Sequence, residues 1–429
     1  MKIVFKVIIL FLIVFNFRIP VVYNSVVLAD IFVLFYYLFV TKSISFKYFS
    51  LRYNVVVLIG TIVITIIYMA YTILHDQYNF AGQKRLTLQF FMLSSFIFSL
   101  PLFIDENEEG EAYGKIAALI CYAFALQGLI HLAGYLYTPI GDFVYDIKGT
   151  AFKDFMENPE LGIDRFRGYA LTGSTFFELP AAYGVAGVLF FRLQLMEGQK
   201  YLSGLKAYIV LFLIISGISL SGRTGFIGLS LGILLYSIYS FEKFTSWVRN
   251  TWKIIAAIAF ALVVFYFLLS PGQQKRLSDE IFPFAFEAYY NWRDYGTIST
   301  GSSDALQGHY FTIRDETLLV GHGNSAGMGN DYPHSDAGYM NALVFGGISW
   351  LVFLSIYQYL YVAGPLGIAR RRETEEEKHD FMCFFLLFIY MFILQYKADT
   401  LGMQHITEVL LLAAGSSYMI KHYYQLEHG

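Results

Sequence analysis

Long apolar runs separated by short polar stretches fill this chain from end to end. A helix needs about 20 mostly apolar residues to cross a hydrocarbon core of about 30 Å. Twelve runs approach that length, at 4–17, 21–40, 54–74, 88–104, 116–137, 179–195, 205–220, 224–240, 254–269, 338–363, 381–396 and 406–420. The pattern therefore predicts an all-α polytopic membrane protein, a single integral membrane domain over 1–429 with about twelve transmembrane helices.

Lys and Arg in short loops set the direction of such a chain. With the N-terminus inside, 17 of the 30 basic residues fall on cytoplasmic segments, 5 on short outer loops and 8 on two long outer loops. That bias predicts both termini in the cytoplasm. Lys2 and Lys6 around the first apolar run also resemble a signal peptide. Arg18 and Pro20 make a poor cleavage site and a second apolar run follows at once, so an uncleaved first helix is expected.

The two long outer (periplasmic) loops span about 138–178 and 271–337. Loops of this length inside a compact protein commonly carry function. The second holds the aromatic run 281–292, expected as interfacial or docked helices, then a Gly- and Ser-rich stretch, 296–308, expected to be flexible. The charged segments 105–111 and 370–378 read as solvated connectors.

Composition narrows the class further. The 429 residues are 56% hydrophobic, 19% aromatic and 15% charged, with a mean hydropathy of +0.52. Soluble domains are typically about 45–50% apolar and about 25% charged, so a water-soluble enzyme, a disordered chain and a disulfide scaffold are excluded. The net charge of −3 comes with no polybasic stripe, so no nucleic-acid partner is expected. Cys121 and Cys383 lie in apolar runs and read as buried hydrophobes.

Much chemistry is missing from the sequence. It has no GxxxxGK[ST] loop, no HExxH, no CxxC and no DxD pair, so neither nucleotide hydrolysis nor a metal site is expected, and no cofactor. Gly323-Asn324-Ser325-Ala326-Gly327 matches GxSxG. That string makes a nucleophile elbow only between a strand and a helix, and no strand pattern precedes it.

Three constellations remain. Arg223 stands in Ser221-Gly222-Arg223-Thr224-Gly225, a near loop-less turn between two spans. An ionised group at membrane depth points to function, and a guanidinium fork matches phosphate oxygens; a snorkelling interfacial arginine is the competing reading. His334 follows a Gly-rich stretch, in His334-Ser335-Asp336-Ala337-Gly338-Tyr339 at the start of a span. Ser335 or Asp336 is expected to cap that helix, and a neutral imidazole there can accept a proton; a loop histidine that only bonds backbone is the alternative. Arg165 and Arg167, in Arg165-Phe166-Arg167-Gly168, offer two donors for phosphate or sugar hydroxyls, or form an ordinary solvated loop.

These residues resemble motifs of bacterial O-antigen polymerases and O-antigen ligases. Ser221 to Gly225 is similar to that family's Ser-Arg-Thr/Gly-Gly turn, and His334 to Tyr339 with Gly346-Gly347 to its His-Ser/Asn element entering a helix with a Gly pair. Gly321-His322-Gly323 resembles its Gly-x-Gly, and Arg165 to Gly168 its Arg-rich outer loop. The resemblance implies a GT-C-like, metal-independent glycosyltransferase of the bacterial inner membrane. Its donor would be an undecaprenyl-pyrophosphate-linked oligosaccharide, and its partners membrane lipid and a chain-length regulator. It implies pyrophosphate or sugar binding by Arg223, Arg165, Arg167, Ser335 and Asp336, and proton acceptance by His334. For the family's further loop arginine Arg314 is the nearest match, and the resemblance implies substrate binding there. Asp336-x-Gly338-Tyr339 looks more like a polymerase than a ligase. A non-enzymatic flippase would be expected to have short loops on both sides.

The topology can be tested directly. Cysteines introduced at Ser299 or Ser303 are expected to react with a membrane-impermeant thiol reagent in intact spheroplasts. Labelling only after rupture would reverse the orientation.

Overall fold

A computed structural model describes residues 3–19, 22–77, 81–149, 165–173, 177–196, 201–240, 269–297, 300–328, 332–370 and 374–428, with isolated positions between 252 and 267. The described residues are helical, and the helices are α1 (Ile3–Phe15), α2 (Ser25–Tyr36, continued by a π-helical turn, Tyr37–Thr41), α3 (Arg52–Leu74), α4 (Ala81–Phe103), α5 (Ala112–Leu136), α6 (Thr138–Lys148), α7 (Glu178–Gln194), α8 (Gly204–Ser221), α9 (Thr224–Ser240), α10 (Glu287–Tyr295), α11 (Gly338–Ala369), α12 (Glu375–Gln395) and α13 (His405–His428). Shorter helical pieces lie between them. The expected span at 254–269 falls largely outside the described residues. Every other expected span coincides with a helix.

Among the described residues, 5 helices are long and apolar enough to cross a membrane: 52–74, 82–103, 106–136, 204–221 and 338–369. The chain is thus consistent with a helical membrane protein, with fewer unambiguous crossings than the apolar runs suggest. Length and charge explain the difference. α1 has 13 residues, and α7 and α9 have 17 each. α12 has 21 but opens on Glu375, Glu376, Glu377 and Lys378, the start of a capping box from Thr374.

The chain divides into two compact units: Met1–Ala29 with Gly114–Ser299, and Asp30–Tyr113 with Thr300–Gly429. The first is built around α7, buried along its length from Glu178 to Leu193. α9 lies against it through small residues, as in close-packed membrane helices. A Cβ on Gly228 would sit 2.4 Å from the Gly184 Cα, one on Gly232 2.9 Å from the Gly187 carbonyl, and one on Gly225 2.8 Å from the Pro180 carbonyl. The second unit has α13 at its centre, buried from Ile406 to Ile420 and packed by α3, α4 and α11. Several of its buried polar groups are paired inside the protein. The Tyr53 hydroxyl donates to the Tyr361 carbonyl at 2.6 Å, the Gln89 amide donates to the Tyr357 hydroxyl at 2.8 Å, and Glu408 accepts from the Gly402 N–H at 3.1 Å.

α11 is broken at Gly346–Gly347, where Gly347 has φ +66. A break at this depth exposes backbone groups that lipid cannot satisfy. The segment 318–323 satisfies them. The N–H groups of His322 and Gly323 donate to the carbonyls of Val344 and Phe345 at 2.8 and 2.7 Å, and the Ile348 N–H donates to the Leu318 carbonyl at 2.9 Å. The approach is close because of glycine: a Cβ on Gly321 would lie 2.4 Å from the Gly346 nitrogen.

The aromatic loop 281–292 forms helices as expected, including α10, in which no residue is buried. The stretch expected to be flexible is helical over Gly301–Gly308. Its sequence GSSDALQG contains only two glycines, both at the ends, so the interior favours a helix more than the Gly and Ser content suggests.

The α7–α9 contact predicts the effect of one substitution. Gly228→Val should weaken the fold by at least the 1–3 kcal/mol typical of overpacking, roughly, because the new Cβ meets backbone rather than a yielding side chain. A lowered melting temperature in detergent is the readout. Gly272→Ala, with nothing within 4 Å of the added carbon, is the control and should melt as the wild type does.

Candidate functional site

The small-residue stripe of α9 sets the position of Arg223. It draws the first turn of α9 onto the first turn of α7, so that a Cβ on Gly222 would lie 3.1 Å from the Pro180 ring. Arg223 is the last residue before α9 and its side chain is 20% exposed. One of its Nη1 hydrogens goes to the Glu287 carboxylate at the start of α10.

Arg167 comes to this turn from the first long loop. Its Nε donates to the Ser221 carbonyl at 3.3 Å, and its Nη2 lies 3.7 Å from where a Gly222 Cβ would stand. The 3-10 turn Arg165–Gly168 that carries it is tied down on both sides. Lys148, at the end of α6, donates from Nζ to the Gly168 carbonyl at 3.0 Å, and the Gly173 N–H donates to the Phe15 carbonyl at 2.9 Å. The Tyr145 and Tyr169 rings meet edge to face at 5.3 Å beneath it. Arg165 lies on the same turn; its side chain is outside the described residues.

The cations of this region include two the sequence reading passed over. Burial pushes the Lys148 amine down to about 7. Arg18, just beyond α1, has Nη1 3.2 Å from the position of a Gly149 Cβ, beside Lys148. Arg18, Lys148, Arg167 and Arg223 thus gather at one end of the first unit, where the C-terminal ends of α1 and α8 meet the N-terminal end of α7. The arrangement suits an anion with several oxygens.

The second unit carries the histidine. His334 is exposed, at 69% of its side-chain surface, and its Nε2 lies 3.2 Å from Asp336 Oδ1. The other Asp336 oxygen lies 3.7 Å from His309 Nε2. The Asp336 backbone N–H donates to His309 Nδ1 at 3.3 Å, and the Ser335 hydroxyl donates to the His309 carbonyl at 2.9 Å. His309 is therefore part of this cluster.

Neither Ser335 nor Asp336 caps α11, contrary to expectation. The N-cap is Ala337 and has no side-chain partner. Ser335 instead accepts from the Ala337 N–H at 3.1 Å, and Asn341 reaches back to the Ser335 carbonyl at 2.8 Å. Two residues, Asp336 and Ala337, separate Ser335 from the helix and leave its hydroxyl short of the first helical N–H groups.

Asp399, between α12 and α13, joins the same unit's charges. Its carboxyl is raised to about 6 by burial and by Asp336, against the lowering effect of Arg85. The ring of Tyr310 stacks on Tyr396 at 4.9 Å, and its hydroxyl donates to the Tyr396 carbonyl at 2.6 Å. Arg314 is exposed, with its guanidinium 5.9 Å from the centre of the Tyr332 ring. Among the described residues no group of three or more His, Cys, Asp or Glu could hold a metal ion. The structure thus joins Arg167 with Arg223 in one unit, and His334, Ser335 and Asp336 with His309 in the other.

A depressed lysine pKa has a chemical signature. With the amine near 7, Lys148 is half neutral at neutral pH and mostly neutral above it, whereas an ordinary lysine near 10.5 stays protonated. Acylation of Lys148 by a water-soluble activated ester should outpace that of Lys378 at pH 7.5, and its rate should level off above about pH 8, read by peptide mass spectrometry. Equal rates would return Lys148 to an ordinary lysine.

No family model matches the chain, and neither does any curated protein or solved structure.

Proposed function

We propose that this chain is a membrane-embedded, metal-independent glycosyltransferase that polymerises undecaprenyl-pyrophosphate-linked oligosaccharide units into a surface polysaccharide, at the outer face of the bacterial inner membrane. The observation that carries the reading is the meeting of Arg167 with the Ser221–Gly222–Arg223 turn. The two arginines come from segments more than fifty residues apart and converge where the sequence places a phosphate ligand.

In this reading Arg223 and Arg167 hold the donor pyrophosphate. They offset the charge that develops on it as the bond to the anomeric carbon breaks, a role for preorganised cations in a low-dielectric site. His334 accepts the proton. An acceptor sugar hydroxyl attacks the anomeric carbon, the carbon–oxygen bond to phosphate breaks with its electron pair going to the pyrophosphate, and the hydroxyl proton passes to the imidazole. One displacement inverts the anomeric centre and releases undecaprenyl pyrophosphate. Asp336 orients the ring: a neutral imidazole donating from Nε2 to this carboxylate leaves Nδ1 free as the base. Asp336 then serves the base rather than the sugar.

Purified protein supplied with lipid-linked repeat units is expected to give a ladder of polymers. Transfer to lipid A core in place of a ladder would make it a ligase, and translocation without product a flippase. His334→Ala should lower the rate by about 10²–10⁴, the usual worth of a general base, with donor binding retained. His334→Gln should be as inactive; near-normal activity there would leave His334 a structural role. Arg223→Lys keeps the charge and loses the fork, and should lose most product at normal membrane abundance.

A further inference from the structure

Arg223, read above as a ligand of the donor pyrophosphate, is paired with a carboxylate of the chain itself. Glu287 is the first residue of α10, in the second long loop, and its Oε2 takes a hydrogen from Arg223 Nη1. The pair is partly shielded from water, with side chains 20% and 30% exposed, so it is held more firmly than a surface ion pair.

The rest of α10 contributes little packing. None of its residues is buried, and Tyr289, Trp292 and Tyr295 are more than half exposed. Its charged first residue rests on the arginine assigned to the phosphate.

We propose that Glu287 is a resident anion: it occupies Arg223 while the site lacks donor, and the donor pyrophosphate displaces it and frees the start of α10 from the Ser221–Gly222–Arg223 turn. The proposal rests on the phosphate reading of Arg223. The exchange favours pyrophosphate because a carboxylate has one charge and two oxygens. A pyrophosphate has more of both and can engage Arg167 together with Arg223, whose segments already touch. Between donors, the carboxylate keeps the guanidinium neutralised and oriented. It also sets a threshold: an anion that engages only Arg223 gains little over Glu287, so a monoanion is rejected where pyrophosphate is accepted.

The cost to the donor is a reduced apparent affinity, by the fraction of protein in which Arg223 is unoccupied. Removing the carboxylate should therefore tighten binding. The test uses the full chain in nanodiscs, with inorganic pyrophosphate and undecaprenyl pyrophosphate as separate probes, and dissociation constants for wild type, Glu287→Gln, Arg223→Ala and the double variant. Glu287→Gln is expected to bind both probes roughly 3- to 30-fold more tightly, the worth of one partly buried ion pair, and the gain should vanish in the Arg223→Ala background. Tightening for the lipid probe alone would mean that the freed α10 contacts the lipid, and would overturn displacement by phosphate charge. Hydrogen exchange of 287–295 in the wild type needs no variant: it should rise on adding pyrophosphate. Unchanged or weaker binding in Glu287→Gln, or unchanged exchange in the wild type, overturns the resident anion. Unchanged pyrophosphate binding in Arg223→Ala overturns instead the phosphate reading beneath it.

Discussion

A membrane interior tolerates no unpaired backbone group, and α11 violates that rule unless another segment repairs it. The break at Gly346–Gly347 opens the carbonyls of Val344 and Phe345, and the segment through His322 and Gly323 closes them. Much of the second unit follows from that exchange. The same segment is anchored at its far side, where the Asn324 amide donates to Gln77 at 2.6 Å. The Ala326 N–H then donates to Asn341 at 3.3 Å, and Asn341 holds the Ser335 carbonyl. A helix break inside α11 thus fixes the residues at its beginning, among them the one read as the base. The Gly-x-Gly and the Gly pair, separate motifs in the sequence, are two sides of one hydrogen-bonded contact.

The first unit solves a different problem, that of seating a cation among closely packed helices. The Gly225, Gly228 and Gly232 stripe brings α9 against α7 closely enough that the turn before it lies on Pro180. The guanidinium then has protein rather than lipid around it. Arg167 is held from the other side by its bond to the Ser221 carbonyl, and its own turn by Lys148 and by the end of α1. Substituting lysine for either arginine would keep the charge but lose the planar fork on which the proposed phosphate contact depends.

What was legible in the sequence follows from range. Apolar periodicity is local, so the helices were readable; length and charge decide which of them qualify as membrane crossings, and α1 is short while α12 opens on charges. Arg223 and His334 stood out because their neighbours in sequence are unusual. Lys148 and Arg18 did not: each sits in ordinary local sequence and acquires meaning only from Gly168 and Gly149, which the fold brings beside them. His309 and Asp399 are of the same kind, defined by Asp336 from distant segments. The capping expectation missed the N-cap by one residue for Asp336 and by two for Ser335, a distance that sequence pattern does not resolve. The small-residue stripe of α9 was visible as composition, but its partner on α7 was not.

The charged groups within each unit suit the part that the proposed mechanism gives it. A group that must accept a proton near neutral pH is spoiled by adjacent cations, which disfavour its protonated form. A group that must hold pyrophosphate needs those cations. Within the first unit, Arg167 and Arg223 share one turn with Lys148 bonded behind it. Within the second, the immediate charged partner of His334 is the Asp336 carboxylate. In the proposed mechanism that carboxylate is the group that orients the ring. Arg85 acts on the buried Asp399, itself raised to about 6, and so is offset by a carboxylate of its own. The residues proposed to hold phosphate and the residue proposed to accept the proton thus belong to separate sets, with different charged neighbours.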